Sequence, residues 1–137
     1  MDEIFKLFTS ELHMNKPVKI ECLEKIETYF KVKLPSQYVD FMLTTNGAEG
    51  NVGDNSYLVL WSAEEIVELN KDYGVEEFAP GLLLFGSNGG MDAYAFDTRR
   101  DNLPIIEVPF IGMGQEKAKD YGDTLFDFFK YLYDEHA

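Results

Sequence analysis

The sequence predicts an α+β fold, in which an antiparallel or mixed sheet packs against several helices. Apolar residues recur at helical spacing in the first half of the chain, and the period changes to that of strands at Leu82. The strand-like runs that follow are joined by short connections, which favours antiparallel pairing over a doubly wound parallel sheet. A length of 137 residues suits one ordinary domain. Residues 1–137 are therefore predicted to form a single domain.

Three helices are predicted before the first strand. The apolar positions of the first, short helix are Ile4, Phe5, Phe8 and Leu12. Those of the second are Ile20, Leu23, Ile26 and Phe30. Pro35 suits the first turn of a third helix over residues 34–46, because its missing N–H has no partner there. Asn46 and Gly47 end this helix, since both residues tolerate the left-handed conformation.

A strand over residues 57–60 leads directly into the best-marked helix of the chain. Ser62 is a suitable N-cap and Glu65 follows three residues later, which is the spacing of a capping box. Trp61, just before the cap, is placed to form the hydrophobic staple. This helix is predicted to end near Lys71.

Consecutive strands are predicted in the second half. The apolar runs 82–85 and 93–96 flank Asn88 and Gly89, a dipeptide typical of hairpin turns. A third strand contains the alternating residues Ile106, Val108 and Phe110. Pro109 cannot donate to a ladder, so this strand is predicted at an edge of the sheet.

The remainder is predicted as a loop and a helix. Residues 112–122 are polar and are predicted to form a loop with room for one helical turn. The terminal helix has an apolar stripe made of Leu125, Phe128, Phe129 and Leu132.

Negative charge restricts the classes of partner. Twenty-five Asp and Glu residues against 12 Lys and Arg give a net charge of −13. Such a surface repels nucleic-acid phosphates and anionic membranes, and it attracts a basic protein. Solubility alone is the alternative explanation. The N-terminus is acidic where a signal peptide would be basic, and no long apolar run follows, so a cytoplasmic location is expected.

The acidic excess is concentrated in residues 49–77, which contain eight acidic residues and one lysine. The hypothesis is a docking surface for a basic protein, and the alternative is a solvated helix face. Individual surface charges add little affinity, so exposed tyrosines are predicted to serve as anchors. The predicted partner-binding residues are Glu49, Asp54, Tyr57, Glu64, Glu68, Asp72 and Tyr73.

No catalytic, cofactor or metal site is predicted. The chain has two histidines, His13 and His136, and one cysteine, too few for a catalytic triad or a zinc site. Asp92 and Asp97 would point to opposite faces of a strand, so they are interpreted as turn-capping residues. The glycine-rich segment 86–90 lacks the lysine of a P-loop and leads into a strand. The protein is therefore predicted not to be an enzyme.

Two separated motifs carry a resemblance to a known family. Residues 34–41 read L-P-S-Q-Y-V-D-F and are followed by Asn46 and Gly47, after an amphipathic helix that carries Glu24. Residues 80–97 form the second motif. The pattern resembles the SUKH superfamily, in the branch named after the yeast cell-wall assembly regulator (SMI/KNR-like). It extends over residues 20–132, and its motif positions are Leu34, Pro35, Tyr38, Phe41, Asn46, Gly47, Trp61, Gly86, Asn88, Gly89, Asp92 and Asp97.

The resemblance implies a non-enzymatic α+β binding domain whose motif positions are mainly structural. Compact bacterial and phage members are similar to immunity proteins, which neutralise polymorphic or contact-dependent toxins, commonly nucleases or deaminases, by direct binding. The yeast branch acts as an interaction hub with long disordered flanks. The lack of such flanks here favours an immunity protein, with a regulatory scaffold module as the alternative. A ligand or enzymatic pocket near the glycine-rich hairpin is a third hypothesis. The toxin and the oligomeric state stay open.

Overall fold

Six α-helices and seven β-strands form residues 3–134, the part of the chain that the computed structural model describes. Residues 1–2 and 135–137, His136 among them, lie outside this part. The helices are α1 (Glu3–Phe8), α2 (Ile20–Phe30), α3 (Ser36–Thr44), α4 (Ala63–Asp72), α5 (Val75–Phe78) and α6 (Leu125–Asp134). The strands are β1 (Leu12–Met14), β2 (Ala48–Val52), β3 (Ser56–Leu60), β4 (Leu82–Ser87), β5 (Asp92–Asp97), β6 (Ile105–Pro109) and β7 (Lys119–Gly122).

The strands form one antiparallel sheet in the order β1-β2-β3-β4-β5-β6-β7. Each strand pairs with its neighbours in the sequence, so the predicted α+β fold with an antiparallel sheet is confirmed. The β3–β4 pairing is short, with Val59 opposite Ser87 and Leu60 opposite Gly86. After Leu60 the chain leaves the sheet and begins α4.

Aromatic rings pack α3 and α6 against one face of the sheet. On β5, Tyr94 and Phe96 point to the same face because they are two residues apart. The Tyr94 ring lies 4.8 Å from that of Phe128 on α6, and the Phe96 ring lies 5.1 Å from that of Tyr38 on α3. Phe85 of β4 stacks on Phe96 at 4.4 Å. Rings from both helices and two central strands therefore form the centre of the core.

The predicted β4–β5 hairpin is confirmed, with a loop over residues 88–91. The Asn88 N–H donates to the Asp92 carbonyl at 3.1 Å, and the Asn88 side-chain oxygen accepts from the N–H groups of Gly90 and Asp92. Gly89 has a φ of +78°. The asparagine side chain thus organises the turn locally, which explains why this dipeptide predicts a hairpin.

The prediction that the first helix includes Leu12 is wrong. The helix ends at Phe8, and the Ser10 hydroxyl donates back to the Leu7 carbonyl at 3.0 Å in the following turn. Leu12 then begins β1 and pairs with Gly50 of β2. An apolar residue at helical spacing is therefore used as the inward-facing residue of a short strand.

The prediction that Pro109 places its strand at an edge is also wrong, because β7 pairs with β6. That pairing extends only to Glu107, opposite Lys119. The Phe110 N–H points toward β5, where it donates to the Met91 carbonyl. The nitrogen of Pro109 therefore faces the other side, beyond the end of the β7 ladder, where no donor is required.

The predicted loop over residues 112–122 contains two short elements. One of them is a 3₁₀ helix over Gln115–Lys117, which corresponds to the single helical turn that the prediction allowed. The strand β7 was not expected there, because Lys119, Asp120 and Gly122 show no apolar alternation. It forms along the exposed side of β6, whose residues provide the pairing partners.

Candidate functional site

The N-terminus of α4 is capped from two directions. The Asn46 side-chain oxygen accepts from the Ala63 N–H at 2.8 Å, and its amide donates to Glu64 at 2.7 Å. The predicted capping box between Ser62 and Glu65 is present, and the Ser62 hydroxyl donates to the Glu65 carboxylate at 2.8 Å. A residue that follows α3 therefore fixes the start of α4, in addition to the helix's own cap.

Two glycines lie against the corner between β3 and α4. A Cβ on Gly47, whose φ is +82°, would come within 2.5 Å of the Leu60 carbonyl oxygen. A Cβ on Gly86 would come within 2.4 Å of the Val59 carbonyl oxygen. Both positions therefore require glycine so that the backbone of this corner can approach closely.

The buried side chain of Asn70 attaches α4 to the sheet. Its oxygen accepts from the Leu84 N–H at 2.9 Å, and its amide donates to the carbonyls of Leu84 at 2.9 Å and Ile66 at 2.7 Å. Asn70 thus takes the place of a neighbouring strand where β3 has left β4. Asn70 was not predicted from the sequence, although its position one turn after Ile66 places it on the buried face of α4.

Three of the predicted partner-binding residues form one row on α4. Glu64, Glu68 and Asp72 are spaced four residues apart, so they share a helix face, and all three are exposed. Glu68 lies 3.8 Å from the ammonium group of Lys71, and both side chains are largely exposed. We call Glu64, Glu68 and Asp72 the acidic stripe.

An aromatic row continues from the end of this stripe. The Tyr73 ring, which follows α4 directly, lies 4.5 Å from the Phe110 ring at the end of β6. It also stacks on the Trp61 ring at 6.3 Å. Trp61 is almost entirely buried, whereas Tyr73 is 41% exposed. We call Trp61, Tyr73 and Phe110 the aromatic row, and it joins residues from three separate segments of the chain.

Glu49 and Tyr57 form a second part of the predicted surface, on β2 and β3. The Tyr57 hydroxyl donates to the Glu49 carboxylate at 2.5 Å, and this hydrogen bond raises the pKa of Tyr57. The Tyr57 ring lies against Gly89, where a Cβ would approach its Cδ2 to 2.8 Å. The pair therefore lies beside the β4–β5 hairpin loop.

Asp54 lies apart from the other predicted partner-binding residues. It is in the turn between β2 and β3, where it lines a cleft with Leu7 of α1 and Tyr133 of α6. Asp54 was predicted as part of the surface because it is close in sequence to the other acidic residues. In the fold, the β2–β3 turn places it at the end of the sheet, near these two helices.

Asp92 and Asp97 make separate turn contacts at the two ends of β5. Asp92 accepts a hydrogen bond from the Asn88 amide at 3.2 Å. The buried Asp97 accepts from Arg99 at 2.8 and 2.9 Å and from Arg100 at 3.1 Å. Burial acts to raise the pKa of Asp97, but the hydrogen bonds and charge of Arg99, with the bond from Arg100, hold that pKa below its usual value.

The first motif contributes to the core and to the start of α3. The Leu34 N–H donates to Glu27 at 2.7 Å, so Glu27, and not Glu24, is the α2 carboxylate that contacts this motif. Pro35 occupies the N-cap position of α3. Tyr38 and Phe41 are buried, and burial raises the pKa of Tyr38, whose hydroxyl has no hydrogen-bond partner among the described residues.

The described residues provide neither a grouped set of metal ligands nor a membrane-spanning helix. Within residues 3–134, no three or more His, Cys, Asp or Glu side chains are grouped so that they could hold a metal ion. In the same range, no helix combines the length and the apolar character needed to cross a membrane.

Comparison with known proteins identifies the family. None of the curated proteins compared with the chain matches it significantly. Residues 17–131 match the SMI1 / KNR4 family (SUKH-1), and this range contains α2 to β7, both sequence motifs and most of α6. The match covers far more than half of the 137 residues and confirms the resemblance found in the sequence. The chain therefore belongs to the SMI1 / KNR4 family (SUKH-1).

Proposed function

We propose that residues 1–137 form a single, non-enzymatic protein-binding domain that acts in the cytoplasm as an immunity protein. It neutralises a polymorphic or contact-dependent toxin, of nuclease or deaminase type, by direct binding. Its partner is a basic toxin domain, and it needs no cofactor, nucleic acid or membrane. The observation that carries this proposal is the exposed acidic stripe on α4, which continues into the aromatic row.

Charge explains why a nucleic-acid-processing toxin suits this surface. Such toxins need positive clefts to hold phosphates, and an inhibitor must cover that cleft. The acidic stripe presents the complementary potential, on a chain whose net charge is −13. Complementary fields mainly raise the association rate, because single exposed charges add only about 0–1 kcal/mol each.

The anchoring of α4 supports the same function. The helix is held by Asn46 at its start and by Asn70 near its end. A stripe on an anchored helix loses little conformational freedom on binding, which favours affinity. Glu49 and Tyr57 extend the proposed surface past the hairpin loop, whereas Asp54 is left out of it.

Reversing the charge of the stripe tests the proposal. The triple variant Glu64→Lys, Glu68→Lys and Asp72→Lys is expected to slow association about 10-fold and to flatten its salt dependence. The probe is the toxin domain encoded beside the gene for this chain, and the measurement is stopped-flow association at low and high salt. The fold should be retained, because the three side chains are exposed.

A matched control separates local complementarity from net charge. Glu11, Asp40 and Asp123 are exposed acids on other parts of the surface, and changing all three to lysine alters the net charge equally. This control is expected to slow association less than about two-fold. Equal association rates for the two triple variants would place the docking face elsewhere. Absence of binding by the wild type would favour the regulatory-scaffold alternative.

A further inference from the structure

The two most exposed large apolar side chains of the described residues are neighbours in the fold. Ile111 is 83% exposed and Met91 is 74% exposed. The Phe110 N–H donates to the Met91 carbonyl at 2.9 Å, so the β4–β5 hairpin loop lies beside the end of β6. We call Met91, Phe110 and Ile111 the apolar patch.

The apolar patch is continuous with the surface described above. Phe110 belongs to both the patch and the aromatic row, and its ring contacts Tyr73, the residue after the acidic stripe. On the other side, Tyr57 lies against Gly89, two residues before Met91. The patch therefore lies between the acidic stripe and the Glu49–Tyr57 pair.

Neighbouring exposed apolar side chains are unusual on the surface of a soluble protein. Single exposed apolar residues are common on soluble proteins, but neighbouring ones beside a stacked aromatic row are typical of interaction sites. The methionine side chain is flexible and polarisable, so it can adapt to a partner's shape. The partly buried Phe110 ring, held by Tyr73 and Trp61, provides a firm base beside it.

We propose that the apolar patch is the anchor that gives this surface its affinity, and that it receives apolar side chains of a basic protein domain whose contact site is ringed by Lys and Arg. The inference rests on the proposed function and names the part of the surface that holds the partner. Charge determines the class of occupant, since the acidic stripe and Glu49 flank the patch. Lys117 lies against Gly112, so one cation borders the patch on the side away from the acidic residues.

A second copy of this chain is a poorer occupant. Two copies would each bring a net charge of −13 and an acidic stripe to the same contact, and like charges oppose such an approach. A basic partner gains from the same arrangement. The charge of the surroundings therefore selects a different protein over self-association.

The double variant Met91→Ser and Ile111→Ser tests this inference. With the neighbouring toxin domain as the probe, its dissociation rate is expected to rise at least about 10-fold, while its association rate changes less than about two-fold. The acidic-stripe variant is expected to show the reverse, with a changed association rate and a nearly unchanged dissociation rate. The melting temperature should stay close to that of the wild type, because both side chains are exposed.

The matched control is the double variant Leu7→Ser and Leu43→Ser. These side chains are 51% and 40% exposed, on α1 and α3, and they lie outside the apolar patch. Both rate constants of the control are expected to stay within about two-fold of the wild type. The comparison shows whether any loss of exposed apolar surface has the same effect.

Three other outcomes would contradict the proposed anchor, the proposed function or the proposed partner. If the wild type binds the toxin domain and the Met91/Ile111 variant dissociates at an unchanged rate, the anchor is wrong but the proposed function stands. If the wild type does not bind, both are wrong. A dimer of the free protein in sedimentation velocity that the Met91/Ile111 variant abolishes would assign the patch to a second copy and overturn the proposed partner.

Discussion

Replacing Asn70 with alanine is expected to lower the free energy of unfolding by about 3–5 kcal/mol. The substitution leaves the N–H and the carbonyl of Leu84 without the side chain that bonds both of them. Leu84 is fully buried, so water cannot replace these bonds without opening the structure. A bond to the Ile66 carbonyl is lost as well.

Equilibrium unfolding in urea measures this loss. Glu68→Ala is the matched control, because it is exposed on the same helix, and its effect is expected to stay within about 0.5 kcal/mol. A loss below about 1 kcal/mol for Asn70→Ala would mean that the Leu84 groups find other partners, and that Asn70 does not replace a strand in the sheet.

Gly86→Ala is expected to cost at least about 2 kcal/mol of unfolding free energy. The new Cβ would come within 2.4 Å of the Val59 carbonyl oxygen and within 3.3 Å of the Leu60 side chain. A backbone oxygen cannot move away freely, because Val59 and Leu60 are the β3 residues that pair with β4. The clash would therefore disrupt the short β3–β4 pairing, which connects strands β1–β3 to strands β4–β7.

Gly90→Ala provides the control for the loss of a glycine in the same region. A Cβ on Gly90 would meet only the Asn88 side-chain oxygen, at an ordinary 3.5 Å, and its φ is not in the left-handed region. Its effect in the same urea experiment is expected to be within about 1 kcal/mol, of either sign. Equal losses for the two variants would argue against a steric role for Gly86.

Local signals explain which elements could be predicted. The capping box at Ser62 and the Asn88 turn are formed mainly by residues close together in sequence, so their patterns predicted α4 and the hairpin. The strand β7 contains Lys, Asp and Gly and shows no apolar alternation, and in β2 the central position of the alternation between Ala48 and Val52 is a glycine. They are strands because neighbouring strands provide pairing partners, and sequence periodicity does not report that cause.

Local sequence patterns also predict some residues of the candidate site and not others. The acidic stripe was predictable because a spacing of four residues places side chains on one helix face. Met91 and Ile111 lie outside the acidic segment and in different loops, so only the pairing of β5 with β6 brings them together. Asn70 was not predicted because its partner, Leu84, is 14 residues away in another element, and local patterns do not report such a contact.

An inhibition titration is the most direct test of the proposed function. Toxin domain from the neighbouring gene is mixed with increasing amounts of this chain while its nuclease or deaminase activity is followed. We expect toxin activity to disappear at an equimolar ratio, and we expect more protein to be needed when the acidic stripe is reversed or when Met91 and Ile111 are replaced by serine. A toxin domain that keeps full activity in excess of the wild-type chain would contradict the proposed function.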